Sequence, residues 1–253
     1  MRIHTRTLIA AALILASVNS IEAAKSAAGR AFQKFHLTDK FWAEGAHYAD
    51  FNHDGKMDVV VGPFWYAGPN FGQRHEFYPA TEKFEIKSKD GQSVTIPGYA
   101  GALSGRNAYA DNFLTFTYDF NSDGWADVLV FGFPGKETTW YENPQNKSDG
   151  HWKSHVVWDE TNNESPQFGD ITGDGKPELV AHSRGKLGYV ELNWDDPTKM
   201  GVFRAVSHAD PKRFFRYTHG FGYGDVDGDG LVDLIERDGW WRFPVEATEA
   251  QRA

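Results

Sequence analysis

Four stretches of the chain repeat one pattern of oxygen-bearing side chains: DFNHDGKMD (50–58), DFNSDGWAD (119–127), DITGDGKPE (170–178) and DVDGDGLVD (225–233). Position 1 is Asp50, Asp119, Asp170 or Asp225, and position 3 is Asn52, Asn121, Thr172 or Asp227. Position 5 is Asp54, Asp123, Asp174 or Asp229, and position 9 is Asp58, Asp127, Glu178 or Asp233. Short oxygen-bearing chains at alternating positions of a tight loop converge on one point. Gly at position 6 permits the positive φ that such a turn requires. Carboxylates held this close repel unless a cation lies between them. Hard oxygen donors without His or Cys select Ca2+, which accepts six to eight oxygens in loose geometry. The carbonyls of Lys56, Trp125, Lys176 and Leu231, at position 7, complete the expected set. An EF-hand closes its loop with a carboxylate at position 12 and flanks it with helices; here the closing group is at position 9 and the flanks are strand-like. By ligand charge the third loop is expected to bind most weakly and the fourth most tightly.

A single Asp-Gly is an ordinary hairpin signal. Four copies with the same oxygen spacing exceed what turn chemistry explains. The overall acidity follows from them. The formal net charge is −9, while the acidic side chains of the four loops alone contribute −13. Outside the loops the chain is slightly basic, so the acidity is a property of the metal sites. A net negative chain is the wrong sign for a nucleic-acid binder. With no cysteine, disulfides and thiolate metal sites are excluded.

The segments that must position these loops are short and β-like. Apolar residues make up 40%, with 19 Phe, 10 Tyr and 9 Trp, enough for a sizeable core. Loop starts lie 69, 51 and 55 residues apart. Each unit has a lead-in strand (AHYADF, FTFTYDF, SPQFGDI, GFGYGDV), the loop, and an apolar strand. An aromatic third strand follows: PFWYAGP, TTWYENP, GYVELNW or GWWRFP. WKSHVVW (152–158) and VFRAVSH (202–208) read as fourth strands. About 55 residues with four strands is one propeller blade. The expected fold is therefore all-β, a β-propeller of four-stranded blades over residues 30–244. Residues 70–112 read as an insertion carrying a hairpin around Lys89-Asp90-Gly91, and 245–253 as a disordered tail. Either residues 32–39 pair with the last blade and close a four-bladed ring, or the chain is part of a larger propeller.

FGDITGDGKPELV and FGYGDVDGDGLVDLI resemble the FG-GAP (or VCBS) repeats of integrin-like β-propellers, over about residues 33–244. The resemblance implies one structural Ca2+ per blade, up to four, held between the first and second strands. PFWYAGPNFGQRHEFYPA and HGFGYGDVDGDG are similar to stretches of secreted bacterial repeat proteins.

Segments entering the innermost strands lie opposite the loops. They supply Glu44, His47, Asp111, Asn112, Asn163, Glu164, Thr218 and His219, with Arg106 and Tyr109 from the insertion. These could form a ligand site at an axial mouth. No nucleophile elbow, zincin, P-loop or Rossmann fingerprint is present. The expected function is a binding module for a protein or carbohydrate ligand. The alternative is an extracellular carbohydrate lyase or hydrolase using Glu44, Glu164 and His219 as acid and base. The recurring aromatics Trp65, Tyr66, Trp140, Tyr141, Trp240 and Trp241 are assigned to packing between blades.

The start of the chain carries Arg2 and Arg6, the apolar run LIAAALILASV (8–18) and small residues at Ser20, Ala23 and Ala24. This is the shape of a secretory signal peptide over residues 1–24, with a run too short to span a bilayer. Secretion or periplasmic export is expected, and no membrane span in the mature chain.

Overall fold

The computed structural model describes residues 32–99, 108–148 and 150–242. The chain divides into residues 1–36 and 37–253, and every strand described lies in the second unit. The expected signal peptide and tail lie outside the described residues.

The first sheet contains β1 (Ala46–Ala49), β2 (Asp58–Val61), β3 (Phe64–Ala67) and β4 (Gln73–Glu76). A separate hairpin follows, β5 (Lys83–Lys87) with β6 (Ser93–Pro97). The second sheet contains β7 (Asn112–Tyr118), β8 (Asp127–Gly132), β9 (Lys136–Glu142) and β10 (Lys153–Thr161). The third contains β11 (Gln167–Gly169), β12 (Glu178–Ser183), β13 (Lys186–Glu191) and β14 (Val202–Ala205). The fourth contains β15 (Gly222–Gly224), β16 (Asp233–Glu236) and β17 (Gly239–Trp241). All pairings are antiparallel between consecutive strands. The protein is thus all-β, built of repeated antiparallel sheets; no closed sheet or ring is formed among the described residues.

The repeat is also a register. Two residues beyond position 9, the second strand of each sheet sets an apolar side chain opposite an aromatic one: Val60↔Trp65, Leu129↔Trp140, Val180↔Tyr189 and Ile235↔Trp240. Side chains alternate across a strand, so the residues at one and three beyond position 9 face the other way. Val60 and Trp65 of the first sheet pack on Val128 and Val130 of the second. Leu129 and Trp140 of the second pack on Leu179 and Val190 of the third. Val180 and Tyr189 of the third pack on Leu234 and Trp241 of the fourth. Strands buried on both faces read as continuous apolar runs, which accounts for DVLVFG in β8, where five of six residues are buried. On the fourth strands, His75 stacks on Trp65 at 4.1 Å and His155 on Trp140 at 4.4 Å, extending the same cross-strand row.

The leading strands lie side by side. Thr117 Oγ on β7 donates to the Tyr48 carbonyl on β1, and Phe116 meets Phe168 of β11 at 6.0 Å. Between β11 and β15 the approach needs a glycine: a Cβ on Gly169 would lie 2.0 Å from the Tyr223 hydroxyl.

Two expectations are corrected. Residues 32–39 form no strand and do not extend the fourth sheet. Thr38 turns the chain by accepting the Lys40 N–H at 3.0 Å, and Leu37 packs with Trp42, Phe64, Tyr66 and Tyr99. The four-bladed ring therefore has no closing strand at that place. Residues 73–76, read as insertion, instead supply the fourth strand of the first sheet. QRHE is polar because it lies at the sheet's outer edge, where apolar alternation is not required.

The register makes a direct prediction. Leu129 is fully buried between the second and third sheets, whereas Val156 on β10 is 43% exposed. Leu129→Ala is expected to cost about 2–5 kcal/mol in urea unfolding, and Val156→Ala within about 0.5 kcal/mol. Equal costs would contradict the packing order.

Candidate metal centres

All four loops share one hydrogen-bond scaffold. The N–H of position 6 donates to the position-1 carboxylate: Gly55 to Asp50, Gly124 to Asp119, Gly175 to Asp170 (each 2.9 Å), and Gly230 to Asp225 (3.0 Å). The N–H of position 7 donates to the position-5 carboxylate: Lys56 to Asp54, Trp125 to Asp123, Lys176 to Asp174 (each 2.8 Å), and Leu231 to Asp229 (2.9 Å). In the first two loops the position-5 N–H also donates to Asn52 or Asn121 at position 3. The position-6 glycines have φ between +79° and +87°, the turn the sequence called for. Position 4 is left-handed too, at His53, Ser122, Gly173 and Gly228. Its signal is visible in the third and fourth copies, where that residue is glycine.

Position 9 roots the loop. Asp58, Asp127, Glu178 and Asp233 are all buried. Each accepts the position-2 N–H: Phe51 and Phe120 at 2.9 Å, Ile171 and Val226 at 3.0 Å. Asp58 also takes the Gly68 N–H and Asp127 the Asn143 N–H, both at 2.8 Å, tying the loop to the end of the third strand. Burial pushes the Asp127 carboxyl up to about 7, against the lowering effect of these N–H bonds. Burial likewise raises Glu178 to about 7, opposed by the Ile171 and Thr172 donors, and raises Asp58.

The loops differ in how their carboxylates meet. In the third, oxygens of Asp170, Asp174 and Glu178 lie within 4.8 Å of one another. In the fourth, those of Asp225, Asp227 and Asp229 do so. The first and second loops, with Asn at position 3, bring together no such triad among the described residues. Carboxylates at that separation repel less with a cation between them, so the third and fourth loops fit a divalent ion on this ground. The donor set is oxygen throughout, which suits Ca2+. In the fourth loop Arg242 is already present: Nε lies 2.9 Å from Asp227 and Nη2 2.8 Å from Asp229. No sequence signal marked that arginine.

A second group of side chains went unnoticed in the sequence. Asn143 donates from Nδ2 to the Phe51 and Ala126 carbonyls, each at 3.0 Å, so it bridges the roots of the first and second loops. Asn146 donates to the Asn52 carbonyl at 2.9 Å, and Gln145 to Asp123 at 2.6 Å. His53 stacks on Trp125 at 3.7 Å. The first two loops are therefore joined across the sheet boundary.

The expected axial residues separate into two sets. Glu44, Glu164 and His219 come together: His219 Nδ1 is 2.8 Å from Glu164, and the Glu44 carboxyl is raised by burial first and then by Glu164, with His219 opposing. Glu164 and Tyr109 line a cavity of about 190 Å³ with Phe113, Phe133 and Tyr217. The remaining residues hold the scaffold. His47 bonds Thr117 at 2.7 Å on the leading strands. Asn112 is buried, donating to the Gly62 carbonyl at 3.3 Å. Asn163 accepts the His182 N–H at 2.9 Å, and the Thr218 hydroxyl meets His182 Nδ1 at 2.8 Å. Burial lowers His182 to about 4 and raises Asp111. Arg106 lies outside the described residues. The aromatic third strands are packing elements in the first two sheets, where Trp65, Tyr66 and Trp140 are buried.

Asn143→Ala would leave two carbonyls at the loop roots without their donor. It is expected to cost about 1–3 kcal/mol, while Lys153→Ala, 71% exposed on β10, costs within about 0.5 kcal/mol. Chemical unfolding of the two variants measures the difference; a neutral Asn143→Ala would remove the bridge from the account.

Residues 119–181 match the FG-GAP-like repeat family. The matched span starts at position 1 of the second loop and ends within β12, so it contains the second loop, β8 to β11, the third loop and the first part of β12. No curated protein matches the chain in sequence. Among solved structures, the Tc holotoxin pore of Photorhabdus luminescens aligns at 13% identity with a TM-score of 0.34, over 85% of this chain and 11% of that chain. The chain thus spans about a ninth of that protein's length, and so slight a likeness carries no argument about fold or activity. The FG-GAP-like repeat at 119–181 is what the comparisons establish.

Proposed function

We propose that the chain is a calcium-stabilised β-propeller-type module, exported from the cell, that binds a protein or carbohydrate ligand. The single observation carrying this reading is the scaffold common to all four loops, which aims the position-1 and position-5 carboxylates with backbone N–H groups. It is supported by the carboxylate triads of the third and fourth loops and by the FG-GAP-like repeat. Asp50, Asn52, Asp54 and Asp58, with their counterparts in the other loops, would hold the ion, aided by the position-7 carbonyls. The ion's part is structural, because a ligand that binds the ordered loop and not the unfolded chain stabilises the fold. The basic, apolar and small-residue order of residues 1–24 supports export. Among the described residues no helix is long and apolar enough to cross a membrane.

Calcium is expected to raise the melting temperature, with EDTA lowering it. The size of that effect should depend on pH. Asp127 and Glu178 have folded values near 7, raised above those of the unfolded chain. Without the ion, folding takes up protons, so stability falls as pH rises through 4 to 7. A bound divalent cation holds these groups ionised and removes that loss. His182, lowered to about 4, loses stability in the opposite sense as pH falls below its unfolded value, but equally with and without calcium. Melting temperatures with calcium and with EDTA should therefore differ more at pH 8 than at pH 5. An identical melt in EDTA at both pH values would overturn the metal assignment.

One observation favours a second reading. The Glu44, Glu164 and His219 cluster beside an aromatic-lined cavity suits acid–base work on an extracellular carbohydrate. A carboxyl raised by burial serves as an acid, and a carboxylate paired with imidazole as a base. A panel of plant, algal and bacterial polysaccharides tests it by product release. Glu164→Gln is expected to lower any turnover at least 100-fold while leaving the calcium-dependent melt intact. Absence of turnover across the panel, or turnover indifferent to Glu164→Gln, removes this reading and leaves the first standing.

A further inference from the structure

The segments leading into β1, β7, β11 and β15 meet around the cavity beside Glu164, and backbone bonds fix its walls. The Glu44 and Gly45 N–H groups donate to the Phe113 carbonyl at 2.9 and 3.2 Å. The Phe133 N–H donates to the Asp111 carbonyl at 3.1 Å. The Glu164 N–H donates to the Thr218 carbonyl at 2.8 Å, and the Tyr217 N–H to the Asn162 carbonyl at 3.0 Å. These bonds gather four rings into one wall. Phe133 stands in its middle, with ring centroids 5.8 Å from Tyr109, 6.2 Å from Phe113 and 5.8 Å from Tyr217. Tyr217 is held at φ +72°, a conformation rare for a bulky residue, and its ring is 42% exposed, so the wall reaches solvent there.

The polar side of the cavity is anionic. Glu164 lines it, and Glu44 stands near enough to Glu164 that each disfavours the other's charge. His219 Nδ1 meets Glu164 Oε2 at 2.8 Å with its ring 78% exposed, so it approaches from the solvent side. A carboxylate accepts at two oxygens, and that contact uses one of them. The guanidinium of Arg216 lies against Gly135 and is not among the lining groups. The volume of about 190 Å³ is below the roughly 300–1,000 Å³ of sites for drug-sized ligands, so it suits one small group.

Ring faces carry negative partial charge, so rings and carboxylates together attract a cation and repel an anion. A bare metal ion would leave the rings unused, and a neutral apolar group would leave the carboxylates without counter-charge. A cation clothed in alkyl groups satisfies both. We propose that this cavity binds a substituted ammonium group, its alkyl substituents against the rings of Phe133 and Tyr217 and its charge toward Glu164. The assignment rests on the reading of the chain as a binding module and names the ligand chemistry of that module; it requires no turnover.

Ligand-observed NMR titration of the full chain in calcium tests this with choline and with its tert-butyl analogue, in which carbon replaces the charged nitrogen. Each probe is followed by its single methyl signal. Choline is expected to bind at least about tenfold tighter than the uncharged analogue. Glu164→Gln removes the charge and should weaken choline roughly tenfold. Tyr217→Leu, at an exposed ring, should weaken it about 2- to 30-fold. Lys153→Ala, at the opposite end of the second sheet beside Glu142, should leave it unchanged. Equal binding of the two probes overturns the proposal, as does no choline binding at millimolar concentrations, or binding that survives both Glu164→Gln and Tyr217→Leu. Melts with calcium and with EDTA on the same samples separate the two readings. Any of those failures beside an intact calcium-dependent melt removes the ammonium assignment alone, whereas a melt indifferent to EDTA removes the calcium-stabilised module whether or not choline binds.

Discussion

A buried carboxylate at the root of each loop is the constraint on which the arrangement depends. Position 9 is the first residue of the second strand in every sheet, and it is closed to solvent. There it accepts the N–H of position 2, seven residues back, and so fixes the loop's width. A charge out of water is costly unless its lone pairs are satisfied. The loops meet that cost with backbone donors, partially enough that Asp127 and Glu178 stay near 7. On the proposed reading, a divalent ion beside these groups would supply what the donors lack, and loop folding and ion binding would become one equilibrium.

From that root the second strand inherits its direction, and the alternation of its side chains does the rest. One face carries the Val–Trp type of pair and the other the aliphatic residues that cover the preceding sheet. Each sheet is thus both lid and floor. In the first three sheets the third-strand aromatics recur because each interface needs a large flat side chain. Trp65, Trp140 and Trp240 share one register, and only the last lacks a sheet above it among the described residues.

The repeated parts were legible in the sequence, and the parts made once were not. Loops, leading strands, second strands and aromatic third strands each announce themselves four times, so a weak signal in one copy is read from its neighbours. β4 is polar and lies beside an insertion, which gave no periodicity to read. Trp42 and Tyr99 cap the first sheet from segments outside the repeat, and a cap that occurs once has no pattern. Asn143 was visible only as a residue before proline. Its bridge between the first and second loops spans 92 positions to Phe51, a distance that sequence spacing does not encode. Of the axial residues, Glu44, Glu164 and His219 converge. Asn112, Asn163 and Thr218 are spent on backbone and His182 contacts.

Ligand charge alone ranks the fourth loop above the third, since it has four aspartates against two and a glutamate. The surroundings argue otherwise. Arg242 already neutralises Asp227 and Asp229, so an ion entering the fourth loop competes with a guanidinium that pairs well with carboxylates. The third loop has no such resident in its triad. Its Glu178 is buried and reaches toward Asp170 and Asp174, and Thr172 donates to it at 3.1 Å. The gain from an ion depends on how much repulsion it relieves, not on how many carboxylates can be counted. By that measure, a divalent ion would gain more in the third loop than its formal charge suggests, and less in the fourth.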